Sequence, residues 1–474
     1  MSEIAVSIFV AAVAVLIYRR YRSVFCLPFF WVAYFLFQYL GFLQIRAMYG
    51  GISYAYAAAA FGMFYVGLLA ADPSSFIRDR SRRKGHGDHH AAPNPQKPAS
   101  KPDLQPKSTR IKLLFPVLPL NVGLFVSLLG ATFVTFVFFG ENGIPIFSSF
   151  PAMAWVQATS GIVNRTMSVF GPGCYASLGL VAWAVHRESG SRAAKAMMYL
   201  GFGLAIISDA LLATKAAAIL IFIWFNILLF YLNKKREFRK ILLPLLIVVV
   251  PISFAIVAVR LMSTQGFWQA ESLYRTYYDR VTMEQAQPAD FIFKYMDRFG
   301  PMHGGAMHRE VERIEDQLTG RPKTPIPSEF VFDLMTDQST NTTGLSAALT
   351  FYGTGYLEWG LLGMLFYSFL QGLGFGWVHR YLLRQETMNI MMLIFWATIL
   401  NYLMSVSGSG TVLVSFESVF MNTIPPLVSL LPFCAFFLLP VARKYANPVG
   451  RGRGRILRTP KAGSTLCLGK KPSG

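Results

Sequence analysis

Long apolar segments recur along almost the whole chain, and they constrain the fold more than any other feature. About 20 mostly apolar residues are enough to cross a bilayer as a helix. Only 14% of the 474 residues are charged, against about 25% in ordinary soluble domains. The sequence therefore predicts an all-α polytopic membrane protein with about 11 transmembrane helices. The predicted spans are residues 3–18, 24–43, 54–71, 113–139, 171–185, 196–213, 215–232, 241–259, 351–378, 389–406 and 419–442.

The basic residues are concentrated in alternate connections between these spans. Arg19, Arg20 and Arg22 follow the first span, whereas the positive cluster of a cleavable signal peptide precedes its apolar run. If this cluster is cytoplasmic, the inside segments are 19–23, 72–112, 186–195, 233–240, 379–388 and 443–474. They hold 32 of the 44 Lys and Arg residues but only 7 of the 24 Asp and Glu residues. The positive-inside rule then predicts an outside N-terminus and an inside C-terminus.

The net charge of +20 is explained by this topology, so we expect attraction to anionic membrane lipids and no nucleic-acid partner. The expected order is helices 1–3 in residues 1–71, a basic cytoplasmic loop at 72–112 and helices 4–8 in 113–259. A periplasmic loop domain at 260–350, helices 9–11 in 351–442 and a basic cytoplasmic tail at 443–474 complete it. The 72–112 loop and the tail have compositions typical of disorder. A metal site around His86–His90 is the weaker alternative for that loop.

The long loop contains two amphipathic stretches. Pro288 is expected to open the first. Met307, Val311, Ile314 and Leu318 lie on one face of the second. Such helices lie on a membrane surface or cap a cavity. The charged side chains at 309–316 have the spacing of solvated pairs on a helix.

Several motifs of catalytic chemistry are absent from the sequence. It contains no P-loop, Gly-x-Ser-x-Gly, His-Glu-x-x-His or Asp-x-Asp motif. Paired carboxylates commonly hold the divalent cation of metal-dependent sugar transferases. We therefore expect no metal and no cofactor. Any diphosphate leaving group would have to be bound by Arg and Lys.

Few polar groups on the predicted outer side are candidates for a site. Arg165 is the lone basic residue of the 140–170 loop. Asp209 is an ionisable residue inside a span, which is costly and therefore a functional candidate by default. A structural ion pair between Asp209 and Lys215 is the alternative, and Lys215 and Arg260 also suit interfacial anchors. The long-loop candidates are Arg275, Arg280, Arg298, His303 and His308.

Glycine and aromatic residues mark the start of the ninth predicted span. Residues 355–363 read Gly-Tyr-Leu-Glu-Trp-Gly-Leu-Leu-Gly and include Tyr356 and Glu358. Aromatic and polar groups of this kind bind sugars. Close packing of small residues between helices is the alternative.

These residues resemble the O-antigen polymerase (Wzy-type) family of oligosaccharide repeat-unit polymerases. One element of the resemblance is Asn142-Gly143-Ile144-Pro145 followed by Arg165. The others are the long outer loop and the string at 355–363. The resemblance covers most of residues 113–442 by topology and only short strings by residue.

The resemblance implies a metal-independent inverting glycosyltransferase on the outer face of the bacterial inner membrane. Its substrates would be undecaprenyl-diphosphate-linked glycans, with a chain-length regulator as a possible partner. Arg165 would be catalytic, with His303 or Glu358 as the general base. Substrate-binding candidates are Arg260, Arg275, Arg280, Arg298, Lys215, Asp209 and Tyr356. A ligase that moves finished polysaccharide, another glycan-polymer transferase and a transporter or flippase remain alternatives.

Overall fold

The computed structural model describes most of the predicted helical regions. The described residues are 3–21, 26–71, 110–113, 117–147, 171–212, 227–232, 282–319, 321–336, 347–385, 387–417 and 419–420, with isolated residues at 251, 255, 275 and 278–279. Helices dominate them. This agrees with the predicted fold class, apart from one pair of three-residue strands.

Six described helices are long and apolar enough to cross a membrane. They are α1 (Glu3–Tyr21), α2 (Leu27–Tyr49), α3 (Ser53–Ala71), α4 (Val117–Asn142), α10 (Phe351–Arg384) and α11 (Ile390–Ser409). Each lies at a predicted span, so the apolar segments identified these helices to within a few residues.

Two more helices lie at the fifth and sixth predicted spans. They are α5 (Pro172–Ser189) and α6 (Arg192–Leu211), and their connection contains Gly190, which adopts the left-handed conformation that ends a helix. The eighth predicted span, the 72–109 part of the basic loop and the tail from 443 lie outside the described residues, apart from residues 251 and 255. Of the seventh span only residues 227–232 are described, and of the eleventh only residues 419 and 420.

A short parallel strand pair marks one end of the helices, here called the strand end. Strand β1 (Arg110–Lys112) pairs with β2 (Thr387–Asn389). At the same end, Arg380 donates a hydrogen bond to the carbonyl of Ala71, and the ring of Tyr21 lies 4.6 Å from that of His379. Segments that the charge pattern places on one side of the membrane are therefore close together.

Close glycine contacts hold α3 against α10. A Cβ atom on Gly67 would clash with the carbonyl oxygen of Phe369, and one on Gly372 would clash with that of Phe64. Because the next contact, between Gly376 and Ala71, lies farther along both helices, α3 and α10 run in the same direction. Small residues therefore pack these two helices closely, at glycines outside the 355–363 string.

Three helices of the long loop cover the other end of the bundle, here called the cap end. They are α7 (Met283–Phe299), α8 (Gly305–Thr319) and α9 (Pro327–Thr336). Helix α7 begins five residues before Pro288, so the prediction that this proline opens the helix was wrong. Proline removes the hydrogen bond to the carbonyl four residues back and its ring crowds that carbonyl, yet here the helix continues through it.

Helix α7 packs on α2 and α3. Thr282, just before α7, donates a hydrogen bond to the Oε1 of Gln44. Ser53 donates one to the buried carboxylate of Asp290, which also pairs with Lys294 at 2.7 Å. The first amphipathic stretch is therefore a lid on the transmembrane helices.

Candidate functional site

Helix α10 reverses direction near its start instead of crossing the membrane as one span. Trp359 and Gly360 have non-helical backbone angles, and Gly360 has a φ of +62°. Past this point Gly363 lies directly beside Gly355, because a Cβ on Gly363 would clash with the Gly355 carbonyl oxygen. Residues 351–358 therefore form a short helix antiparallel to residues 361–384. The glycines permit both the turn and the close approach.

The short first part of α10 is re-entrant. Its Tyr352 donates a 3.1 Å hydrogen bond to the side chain of Gln38, which is twelfth among the 23 residues of α2. The helix thus begins near the middle of the bundle and rises to the reversal. Thr350 before it has a φ of +58°, which is strained for a β-branched residue, and its hydroxyl accepts the N–H of Gly353. Non-helical backbone at this depth is tolerated where protein surrounds it.

Glu358 ends this short helix and joins it to the long loop. Its carboxylate accepts hydrogen bonds from the backbone N–H groups of Gly304 and Met307, the latter at 2.7 Å. These donors lie at the N-terminus of α8, where a negative charge is favourable. The side chain is only 1% exposed. Glu358, one of the predicted catalytic residues, is therefore a buried side chain that caps the N-terminus of α8.

His303 lies beside Glu358 but faces the surface. Its backbone N–H donates a 2.9 Å hydrogen bond to the backbone carbonyl of Glu358. Its ring lies 5.6 Å from that of Trp359, edge to face. His303 has a φ of +48°, one of two positive values among the described non-glycine residues. Such strain is typical of functional sites and persists only where the surroundings impose it. The exposed His308 instead pairs with Glu312 at 3.1 Å.

Glu310 is a second buried carboxylate, which the sequence reasoning missed. It is 1% exposed and accepts hydrogen bonds from the N–H groups of Val412, Leu413 and Val414, the shortest of 2.7 Å. Burial raises its pKa above the ordinary value of 4.5, and the nearby Glu358 charge acts in the same direction. The expectation of solvated pairs at 309–316 is wrong for this residue.

Arg313 also departs from that expectation. Its guanidinium lies 3.0 Å from the Glu329 carboxylate and donates to the carbonyl of Thr324, and both charged side chains are largely shielded. This pair connects α8 to α9. Helix α8 is thus fastened to the start of α9, the reversal of α10 and the segment after α11.

Tyr356 is buried in an aromatic cluster. Its ring lies 4.8 Å from that of Phe293 and 5.6 Å from that of Tyr56. In this position it joins α7 to α3 and α10. A sugar would have to displace these rings to reach it, so packing is the role that the geometry shows.

The structure places only some of the predicted basic residues. Arg275 is exposed and lies 3.9 Å from Asp279, and Arg298 is exposed near the end of α7. Asp209 lies in α6, but its side chain is outside the described part of the chain. Arg165, Lys215, Arg260 and Arg280 also lie outside it. Within the described ranges, no group of three or more His, Cys, Asp or Glu side chains could hold a metal ion.

Comparisons with protein-family models, with curated proteins and with solved structures found no match to this chain.

Proposed function

We propose that this protein is a polymerase that joins lipid-diphosphate-linked oligosaccharide repeat units at the cap end of its helices. One observation carries the proposal. The string at 355–363 and the long loop, which the family resemblance identifies separately, are joined by the bonds from Gly304 and Met307 to Glu358. The motif therefore lies in contact with the loop that would hold the substrate.

The chemistry requires a base near the acceptor hydroxyl and cations near the diphosphate leaving group. His303 is the better candidate for the base, because its ring is exposed and lies beside Trp359, whose indole suits contact with a sugar. Both oxygens of Glu358 already accept backbone N–H groups. In the proposal, Glu358 positions His303 through two hydrogen bonds. Its carbonyl accepts the backbone N–H of His303, and its carboxylate accepts that of the next residue, Gly304.

The cations of the proposed site come from the arginines. Arg165 is the first candidate, followed by Arg260, Arg275, Arg280 and Arg298. A guanidinium presents a planar fork to phosphate oxygens, so it stabilises a leaving diphosphate without a metal ion. We place this chemistry on the outer face of the inner membrane, where the charge pattern puts the cap end.

The test uses lipid-linked glycans extracted from cells that lack this protein. Purified protein in lipid vesicles is incubated with them, and the products are separated by length. We expect a ladder of polymers that a chelator leaves unchanged. His303→Ala is expected to abolish the ladder, and the matched His308→Ala is expected to retain it, since both histidines are exposed on the same loop.

Other products would overturn the proposal. Transfer of preformed chains to a different acceptor would identify a ligase. Movement of the lipid-linked units across the bilayer, with no change in length, would identify a flippase.

A further inference from the structure

Helix α8 exposes apolar side chains along one side, although it buries the charged residue Glu310. Met307 is 39% exposed and Val311 is 47% exposed, whereas Glu310 is buried. Met307, Val311 and the half-buried Ile314 share one side of the helix, here called the α8 stripe. A helix facing water normally has the opposite distribution. The exposed stripe therefore needs an apolar environment outside the chain.

The position of α8 indicates what that environment is. Its N-terminus is fixed to the reversal of α10 by Glu358, and the N–H of Met302 also donates to the carbonyl of Leu357. Its middle is fixed by Glu310 to residues 412–414, just past the end of α11. The first anchor point lies where residues 361–384 of α10 begin, and the second lies just past the end of the candidate span α11. Helix α8 is therefore held along the boundary of the membrane-crossing helices.

The depth of the reversal supports this placement. The contacts of Gly372 with Phe64 and of Gly376 with Ala71 pair α3 and α10 with a similar offset, which puts Gly360 within about one helical turn of the start of α3. Because α3 is a candidate span, its start marks the edge of the membrane region. Trp359 and Leu362 at the reversal are exposed apolar residues. The ring of His303, four residues before Met307, contacts that of Trp359. The N-terminus of α8 therefore lies beside exposed apolar residues of α10.

We propose that α8 is an interfacial anchor whose stripe of Met307, Val311 and Ile314 inserts into the bilayer at the level of the headgroups. The occupant of this surface is membrane lipid. Burial of apolar area stabilises such a helix at the interface. This inference does not depend on the proposed enzymatic activity.

The experiment labels single cysteines with an environment-sensitive fluorophore. The full-length chain, with Cys26, Cys174, Cys434 and Cys467 replaced, carries Met307→Cys, Val311→Cys, His308→Cys or Thr319→Cys. The last two are exposed positions on the polar side of α8 and serve as matched controls. The protein is reconstituted in phosphatidylethanolamine and phosphatidylglycerol vesicles, with or without a quencher on the acyl chains.

We expect blue-shifted emission and loss of fluorescence with the acyl-chain quencher at 307 and 311. Iodide in the buffer is expected to quench the label at 308 and 319 instead. Equal quenching by iodide at all four positions would overturn the proposal. Protection at 307 and 311 that resists the lipid quencher, and that disappears when the protein is diluted into excess lipid, would identify a second copy of the chain as the occupant.

Discussion

The carboxylate of Glu358 lies 2.7 Å from the backbone nitrogen of Met307, across 51 residues of sequence. This contact ties the reversal of α10 to the first turn of α8. The same carboxylate also accepts the N–H of Gly304. The exposed His303 immediately precedes Gly304, so its geometry depends on one buried side chain.

Replacing Glu358 tests whether it positions its neighbours or acts as a base. Glu358→Ala leaves two N–H groups without their acceptor, at a cost of about 1–3 kcal/mol for each buried donor left unsatisfied. We expect a lower melting temperature for the Ala variant and an intermediate one for Glu358→Gln. The residual activity of Glu358→Gln is expected to keep the wild-type pH dependence. Loss of the limb that reports a general base would instead make Glu358 the base.

The charge of Glu310 is expected to make stability depend on pH. Its raised pKa means that the folded state binds the proton more tightly than the unfolded state. The contribution of this group to stability is therefore complete below its ordinary pKa of 4.5 and is lost as the pH rises through the raised value. A single group changes the free energy of unfolding by at most about 1.4 kcal/mol per pH unit.

Glu310→Gln removes this titration. We expect the melting temperature of the wild type to fall relative to that of the variant as the pH rises above 4.5. Thermal unfolding in detergent over a pH series measures it. A difference that does not change with pH, or that changes in the opposite direction, would be inconsistent with the raised pKa.

Gly363 is predicted to tolerate no side chain. A Cβ there would clash with the Gly355 carbonyl oxygen and lie 2.6 Å from the Cβ of Trp359. Overpacking typically costs about 1–3 kcal/mol, and a backbone neighbour cannot move aside easily. We expect Gly363→Ala to lower the melting temperature or the yield of monodisperse protein. Gly374→Ala, on the same helix with open space around it, is the control and is expected to be neutral or stabilising.

The transmembrane helices were the most predictable part of the fold, because the bilayer requires apolar length regardless of tertiary contacts. The reversal at Trp359 and Gly360 was missed, since residues 351–378 have the length and apolarity of a single span. The glycines at 355, 360 and 363 were visible, but a helix-packing motif contains the same residues. Glu310 was missed because its acceptor role depends on residues 412–414, about 100 positions away. Its neighbours in sequence are those of an exposed charged helix.

Arg165 lies outside the described residues, so its role stays a prediction from the sequence. A guanidinium on a partly desolvated diphosphate makes charge-assisted hydrogen bonds of about 1.5–3 kcal/mol each. We expect Arg165→Ala to abolish long-chain polymer at normal protein level and Arg165→Lys to retain part of the activity. Product ladders at matched expression provide the measurement. Wild-type ladders from both variants would leave Arg260 and Arg298 as the next candidates.

The orientation of the chain is also open to direct test. Reporter fusions after Arg83 and Arg453 are expected to report a cytoplasmic location, and a fusion near Gln317 is expected to report the opposite side. An outside location for the 72–112 loop would reverse the proposed orientation and remove the cap end from the outer face.

The pairing of β1 with β2 has a consequence for the order of assembly. Arg110 aligns with Thr387, 277 residues later in the chain. Strand β1 therefore has no partner until α10 has been synthesised and inserted. Contacts of such long sequence separation form late and slowly, because a large loop must close first. We infer that chains truncated before β2 insert their first helices but leave the end of the basic loop unfastened.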